Sequence, residues 1–465
     1  MTRRAVVIGA GLAGMLAAAA LSTSADEVIV LERDELPEGP AHRKGLPQGR
    51  HSHVLMAGGL AAMEEVVPGA SIRKQLLAAG AHELSLGRDM VALTSEGWLR
   101  RWQDEGPRLI ACSRALLDWV VRAAVAADPR VVIRRGRAVD LLGDAGRVTG
   151  VRVAAEGAED AGESDLAADL VVDTSGRGSR VVHWLGGLGV TGVRERTVDT
   201  GLVNATRVYR APEGAERFPM TVVQADPYVS RPGRSGMILP IEGGRWMVSL
   251  GGTRGGEPPA DPEGFLRYAL DLPHPVVGRL IAAAEPLTDV HLSRSTRNDR
   301  RYLEKVRDWP EGLVVLGDAL ATFNPAYGQG MTVAALGARV LHRELAAGGV
   351  GAAGLARRVQ RGAARPVDAA WAAAVGQDVW YPGTRGARPG LGDRVVTGFA
   401  RRLTLAATGS PGAAAALWDV TSLLAGPGRL LRPATLLAVL NGPLLPPLPG
   451  PPLTREERRL MEPAV

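Results

Sequence analysis

Ala5-Val6-Val7-Ile8-Gly9-Ala10-Gly11-Leu12-Ala13-Gly14 opens the stretch that decides the fold of this 465-residue chain. The helix-forming run Met15 to Leu21 follows, and Val28-Ile29-Val30-Leu31 then delivers Glu32. This order predicts strand, glycine turn, helix, strand and acid, the start of a Rossmann-like α/β domain. Gly9 permits the tight turn, Gly11 lets the backbone approach a pyrophosphate, and Gly14 lets the helix pack on the sheet. N–H groups freed at the helix start and the helix dipole favour phosphate there. Glu32 ends the second strand, where a carboxylate accepts hydrogen bonds from ribose hydroxyls. An ADP moiety is therefore expected. The alternatives are a plain βαβ unit and, because Arg3-Arg4 precede an apolar run, a secretory or twin-arginine signal. A cleaved signal would leave the later motifs without their partner.

Outward from Glu32, the chain enters a loop dense in cations and turn formers, Arg43 to His53, before an expected helix from Val54 to Val67. A loop leaving the acid-bearing strand is expected to lie along the same ligand. Ser113 predicts the cap of a helix from Arg114 to Val125. Arg114 stands in its first turn, where the dipole disfavours a cation, so it needs an anionic partner, for which the pyrophosphate is expected. A strand over Val131 to Arg134, a meander over residues 138–154 and an acidic turn from Ala155 to Ser164 lead to the buried strand Leu170-Val171-Val172-Asp173. That strand ends in a second turn, Thr174-Ser175-Gly176-Arg177-Gly178-Ser179.

From about residue 186 the pattern alternates: Leu202 to Tyr209, Met220 to Gln224, and a hairpin of Met237 to Ile241 with Arg245 to Leu250. The α/β pattern resumes at Leu313-Val314-Val315-Leu316-Gly317-Asp318. The expected organisation is a discontinuous first domain over 1–80, 104–185 and 305–345, an inserted mixed β-sheet substrate domain over 81–103 and 186–304, and a C-terminal helical region with a proline-rich strap over 346–465. In the run Gly312 to Met331, Pro325 and Gly328-Gln329-Gly330-Met331 open a helix into the crevice that holds Gly9 to Gly14. Such a helix start supplies backbone donors and partial positive charge, which suits the anion of a reduced flavin.

The composition gives a net charge of +6, but only three of the 55 basic residues are lysine, and the arginines are scattered, so no nucleic-acid partner is expected. Cys112 stands alone, excluding an intrachain disulfide and a cysteine-rich metal site. Arg, Gly or Pro interrupts every apolar stretch of the C-terminal third, so no membrane span is expected. A cytoplasmic protein without a bound metal fits these features.

These pieces together resemble the FAD-dependent monooxygenases of the para-hydroxybenzoate hydroxylase fold, whose α/β domain is of the glutathione-reductase type. Within that fold, RKGLPQGRHSHVL (43–55), ACSRALLDW (111–119), DLVVDTSGRGS (169–179) and WPEGLVVLGDA (309–319) look like the olefin epoxidases of polyether antibiotic pathways, such as those making lasalocid and monensin. The resemblance implies FAD held by Gly9, Gly11, Leu12, Ala13, Gly14, Glu32, Arg33, Gln48, Arg114, Asp318, Pro325, Gly328, Gly330 and Met331, with Asp318 on the ribityl chain. It implies dioxygen as co-substrate, a C4a-hydroperoxide as oxidant, and a polyene polyketide, free or on a carrier protein, as substrate. NAD(P)H is the expected electron source, directly or through a separate flavin reductase, because the short Asp-Gly motif of aromatic hydroxylases is expanded here to DTSGRGS. The inserted sheet, with Met237, Ile238, Leu239, Trp246, Met247 and Val248 on the two arms of one hairpin, is the expected substrate wall; ordinary sheet core explains many of those side chains equally well, so none is named as a contact, and no residue is expected as catalytic acid or base. The alternatives are a flavin reductase of isoprenoid double bonds, an aromatic hydroxylase and a non-catalytic FAD-binding module. A flavin halogenase would want Trp-x-Trp-x-Ile-Pro, which Trp98-Leu99-Arg100-Arg101-Trp102 does not supply.

Overall fold

Five parallel strands carry the glycine turn. In the computed structural model, which describes residues 2–103, 106–154, 162–294 and 296–461, Arg4–Ile8 is the central strand. Glu27–Glu32 and then Val131–Arg135 lie on one side of it, Leu170–Asp173 and Leu313–Val315 on the other. Ala5, Val6, Val7, Val171, Val172 and Leu313 to Val315 are fully buried. A parallel sheet is covered on both faces, which is why these strands read as unbroken apolar runs. Helix Leu12–Ser22 packs against both Gly330–Gly348 and Arg114–Ala126. Because all five strands run the same way, their carboxyl ends share one edge, and Gly9, Glu32, Asp173 and Asp318 are delivered to it.

The helix expected from Val54 starts later. Val54–Leu55 is a strand paired with Arg108–Ala111, which also pairs with His82–Ser85, and the helix is Ala57–Val66. The extended backbone of Met56 marks the break. The meander is Arg137–Gly143, Val148–Ala154 and Glu163–Ala167. Of the acidic turn expected over 155–164, residues 155–161 lie outside the described residues, and Glu163 and Ser164 belong to the third strand.

The inserted sheet has seven strands in the order His291–Ser293, Val203–Arg210, Arg245–Gly252, Arg234–Ile241, Met220–Val223, Met90–Thr94 and Gly97–Trp98. It is mixed, because Met220–Val223 runs parallel to Met90–Thr94. Its strands alternate strictly, as a period of two demands. Val91, Ala205, Tyr209, Val223, Ile238, Trp246, Val248 and Leu250 pack with Phe265, Leu280 and Ile281 of the helices Pro262–Leu270 and Val276–Ala282. The other face carries Ala92, Met220, Leu239 and Met247, with Met90, Val208, Val222 and Met237 half-buried beside them. This inner face meets Leu403, Ala406, Ala413 and Trp418 of the C-terminal helices Leu391–Ala407 and Pro411–Thr421. Of the hairpin side chains, Met237, Leu239 and Met247 lie on the face that meets the C-terminal helices, while Ile238, Trp246 and Val248 are the ordinary sheet core of the opposite face.

Candidate cofactor and active site

The first glycine turn is fixed by contacts that leave no room for side chains. Gly9 has φ of +100° and donates its N–H to the Leu31 carbonyl at 2.8 Å. A Cβ on Gly14 would stand 1.8 Å from the Gly9 carbonyl oxygen. Leu12 is buried, and Ala13 reaches across to the resumed strand, its Cβ 2.7 Å from where a Cβ on Gly317 would stand. The two ends of the sequence signature thus touch. Thr174 clamps the turn from the next strand, its hydroxyl donating to the carbonyls of Ile8 at 2.8 Å and Gly9 at 3.1 Å. Asp173, fully buried, accepts from the Ser175 N–H and the Ser179 hydroxyl and holds the second turn; burial raises its pKa.

Glu32 stands at the end of its strand as expected, but it already has partners. It accepts from the N–H groups of Ala10 at 2.8 Å and Asp34 at 3.1 Å, and from Arg43 Nη1 at 3.0 Å. Arg43, from the cation-rich loop, lies over the glycine turn, 3.4 Å from where a Cβ on Gly11 would be, and its Nε is buried without a partner. Arg43, Arg114, Arg122, Leu46 and Gly49 line one small crevice. Ser113 caps its helix by accepting from the Leu116 N–H at 3.1 Å, a cap that contributes about 1 kcal/mol. Arg114 is buried and finds its anion one turn on, Asp118 at 2.7 Å. The expected need for an outside anion is thus met within the chain. Arg33 and Gln48 are exposed, and Gln48 contributes its carbonyl to His53 Nε2 at 2.9 Å.

Asp318, half-buried after Gly317, accepts no hydrogen bond from the described residues. Burial raises its pKa, while the charges of Arg177 and Arg114 oppose that rise. Pro325–Tyr327 forms one 3-10 turn, Gly328 turns the chain at φ of +65°, and the helix Gly330–Gly348 begins there. Met331 is buried, whereas a Cβ on Gly330 would meet nothing within 4 Å. At this helix start Gln329 Oε1 and Thr332 Oγ1 are buried and unpartnered. These residues fit an ADP-linked flavin: a free carboxylate, an orphaned guanidinium nitrogen beside the ADP turn, orphaned acceptors and open space at a helix N-terminus.

Two networks at this edge escaped the sequence reading. Asp378, fully buried at the end of helix Leu355–Asp378, accepts from the Tyr327 hydroxyl at 2.6 Å, from Asn298 Nδ2 at 2.6 Å and from Asn324 Nδ2 at 3.2 Å. It pins the turn before Gly328. At the other end of the inner face, His51 Nδ1 bonds Thr206 Oγ1 at 2.8 Å, Thr206 bonds Ser249 Oγ at 2.6 Å, and Ser249 bonds Ser52 Oγ at 2.8 Å. Burial and the charge of His291 hold the His51 pKa down to about 4, so its ring is neutral at pH 7. The end of helix Pro411–Thr421 closes the site, its Thr421 carbonyl accepting from Gln329 Nε2 at 3.3 Å and its Ser422 carbonyl from the Gly58 N–H at 3.1 Å.

A parallel sheet with a glycine turn, a strand-end glutamate and a second glycine-led helix at one edge is the arrangement of a dinucleotide-binding fold. The chain belongs to the FAD binding domain family, which it matches over residues 2–359, and to the flavin-dependent monooxygenases within it. It is 33% identical to protein Rv3254 of Mycobacterium tuberculosis over 378 residues, 79% of this chain and 78% of that one. It is 31% identical over 348 residues to kynurenine 3-monooxygenase of Salinispora arenicola, covering 71% of this chain and 70% of that one. In fold it is similar to the flavin-dependent brominase Bmp2, with a TM-score of 0.62 at 15% identity over 90% of this chain and 92% of that one. Among the described residues no helix is long and apolar enough to cross a membrane, and no group of His, Cys, Asp or Glu is placed to hold a metal ion.

Proposed function

We propose that this chain is an FAD-dependent monooxygenase that epoxidises carbon–carbon double bonds of a polyene polyketide. The observation that carries the reading is the inner face of the inserted sheet. Ala92, Met220, Leu239 and Met247, with half-buried Met90, Val208, Val222 and Met237, form a hydrocarbon and thioether surface that packs toward the C-terminal helices. Met56 extends that surface to the helix start, its Cε 3.5 Å from where a Cβ on Gly328 would be. A long apolar chain loses little by leaving water for such a wall, and flexible methionines adapt to its shape. Bound FAD, once reduced, supplies the chemistry that activates dioxygen. The chain's own residues orient and exclude water. Glu32 holds the adenosine ribose and Asp318 the ribityl chain of the cofactor, the helix start at Gly330 offers donors to developing negative charge, and the apolar wall holds the alkene in place. An alkene has no acidic proton at its reacting carbons, so positioning suffices.

The hydroxyl chain on the same face favours one second reading, an aromatic hydroxylase. His51, Thr206, Ser249 and Ser52 form a linked row of hydrogen-bonding groups that would orient the hydroxyl of a phenol bound at that end, and the similarity to a protein named kynurenine 3-monooxygenase agrees with oxygen insertion. The likeness to a brominase rests on fold alone. The test supplies polyene acids and phenols to the reduced, FAD-loaded protein under isotopically labelled dioxygen, with NADPH or with a flavin reductase. Label incorporated as an epoxide supports the proposal. Label in a phenol ring selects the second reading, and alkene reduction without oxygen uptake removes both.

A further inference from the structure

Eleven of the fourteen large apolar side chains exposed among the described residues fall within residues 391–445. Leu391 is 83% exposed, Val395 75%, Leu440 71% and Leu431 70%. They follow helical spacing: Leu391, Val395 and Val396 stripe one helix, Leu436, Leu437 and Leu440 the helix Pro433–Asn441. Both helices bury their other side, Leu403, Ala406, Ala407 and Val439, in the core beneath the inserted sheet, and they pack on each other. The outward stripes are thus left over after the fold has closed.

The charge of the same segment is one-sided. Residues 385–445 hold seven arginines and two aspartates, with no lysine or glutamate. Arg401 pairs with Glu96 and Arg429 with Asp419, whereas Arg388, Arg394, Arg402 and Arg432 are exposed and form no ion pair among the described residues. A symmetric contact between two copies would set these guanidiniums against their own kind. A protein partner is met through aromatic and other anchors in packed pockets, yet the exposed apolar groups here are all leucine and valine. Protruding aliphatic side chains beside unpaired arginines are what the boundary between acyl chains and phosphate headgroups accommodates.

We propose that residues 388–445 form a docking surface for an anionic lipid bilayer, with the Leu391–Val396 and Leu436–Leu440 stripes entering the acyl boundary and Arg388, Arg394, Arg402 and Arg432 on the phosphates. Binding is peripheral and requires no spanning helix. The same helices turn Phe399 and Ala438 toward the apolar inner wall, so docking sets that wall beside a reservoir of apolar molecules. Only this last consequence rests on the proposed function.

The experiment is co-sedimentation of the FAD-loaded protein with vesicles of phosphatidylcholine alone or mixed with phosphatidylglycerol, without substrate. The wild type is expected to pellet with the anionic vesicles and to be released by salt. Arg394→Glu with Arg402→Glu should weaken binding by at least about twentyfold, and Val395→Glu with Leu440→Glu should abolish it, flavin content being unchanged in both. No sedimentation, or equal sedimentation of all variants, overturns the proposal. So does a concentration-dependent dimer that Val395→Glu with Leu440→Glu dissolves, which would identify a second copy as the occupant. Since no turnover is read, a failed epoxidation assay leaves this result standing.

Discussion

The Tyr327 hydroxyl donates to Asp378 Oδ1 at 2.6 Å, joining the turn before Gly328 to the end of a helix fifty-one residues further on. Asp378 has no cation among its hydrogen-bond partners; a phenol and two amides satisfy it. Burial raises its pKa and these donors oppose the rise. The carboxylate is therefore a positioning residue for the segment that leads into the helix start.

Removing one buried donor leaves the others in place. Tyr327→Phe is expected to lower stability by about 1–3 kcal/mol and to weaken FAD binding about tenfold, while Asp378→Ala should do more on both counts. Thermal melting and fluorescence of released flavin check this. Unchanged FAD affinity in both variants would leave the network a purely structural one.

Asp318 has no protein donor to lose. Asp318→Ala should purify colourless and melt at or above the wild-type apoprotein, because a carboxylate disfavoured by burial is removed. Unchanged flavin content would remove Asp318 from the site.

Gly14 and Gly330 separate packing from ligand. A methyl at Gly14 strikes the Gly9 carbonyl and should destabilise the chain with or without cofactor. Gly330→Ala meets nothing within 4 Å, so the apoprotein should keep its melting temperature. FAD affinity should nevertheless fall at least about tenfold, because the new methyl occupies the space assigned to the flavin. Titration of apoprotein with FAD decides it.

The His51 pKa is depressed from 6.5 to about 4 by burial and the charge of His291. The unfolded chain therefore binds this proton more readily. Stability is fully present above pH 6.5 and falls as the pH drops toward 4, by roughly 3 kcal/mol from this group. His51→Gln should flatten that part of the curve in urea unfolding followed across pH. The same slope in both proteins would assign the acid lability elsewhere.

What the sequence made legible was local. Gly9 to Glu32 and Gly317 to Gly330 are contiguous runs whose turns, strands and helix starts follow from nearby residues, and the structure brings Ala13 and Gly317 together at one sheet edge. The alternation of Met237 to Val248 was equally legible as a period of two. Which face turned inward was not, since that depends on the helices Pro262–Leu270 and Leu391–Ala407 packing on opposite sides. His51 with Thr206, and Asn298 with Asp378, are pairings across 155 and 80 residues, and neither leaves a periodic trace. Arg43 was visible only as one cation in a loop; its place over Gly11 comes from the fold of that loop.

Five of the chain's ten methionines, Met56, Met90, Met220, Met237 and Met247, belong to the apolar inner face. On the proposed reading, oxidising equivalents arise beside that wall, and any not captured by substrate meet thioether sulfur first. Conversion to sulfoxide would turn an adaptable apolar surface into a polar, chiral one. The wall would then record each wasted turnover in its own mass, and the catalyst would age fastest when starved of its alkene.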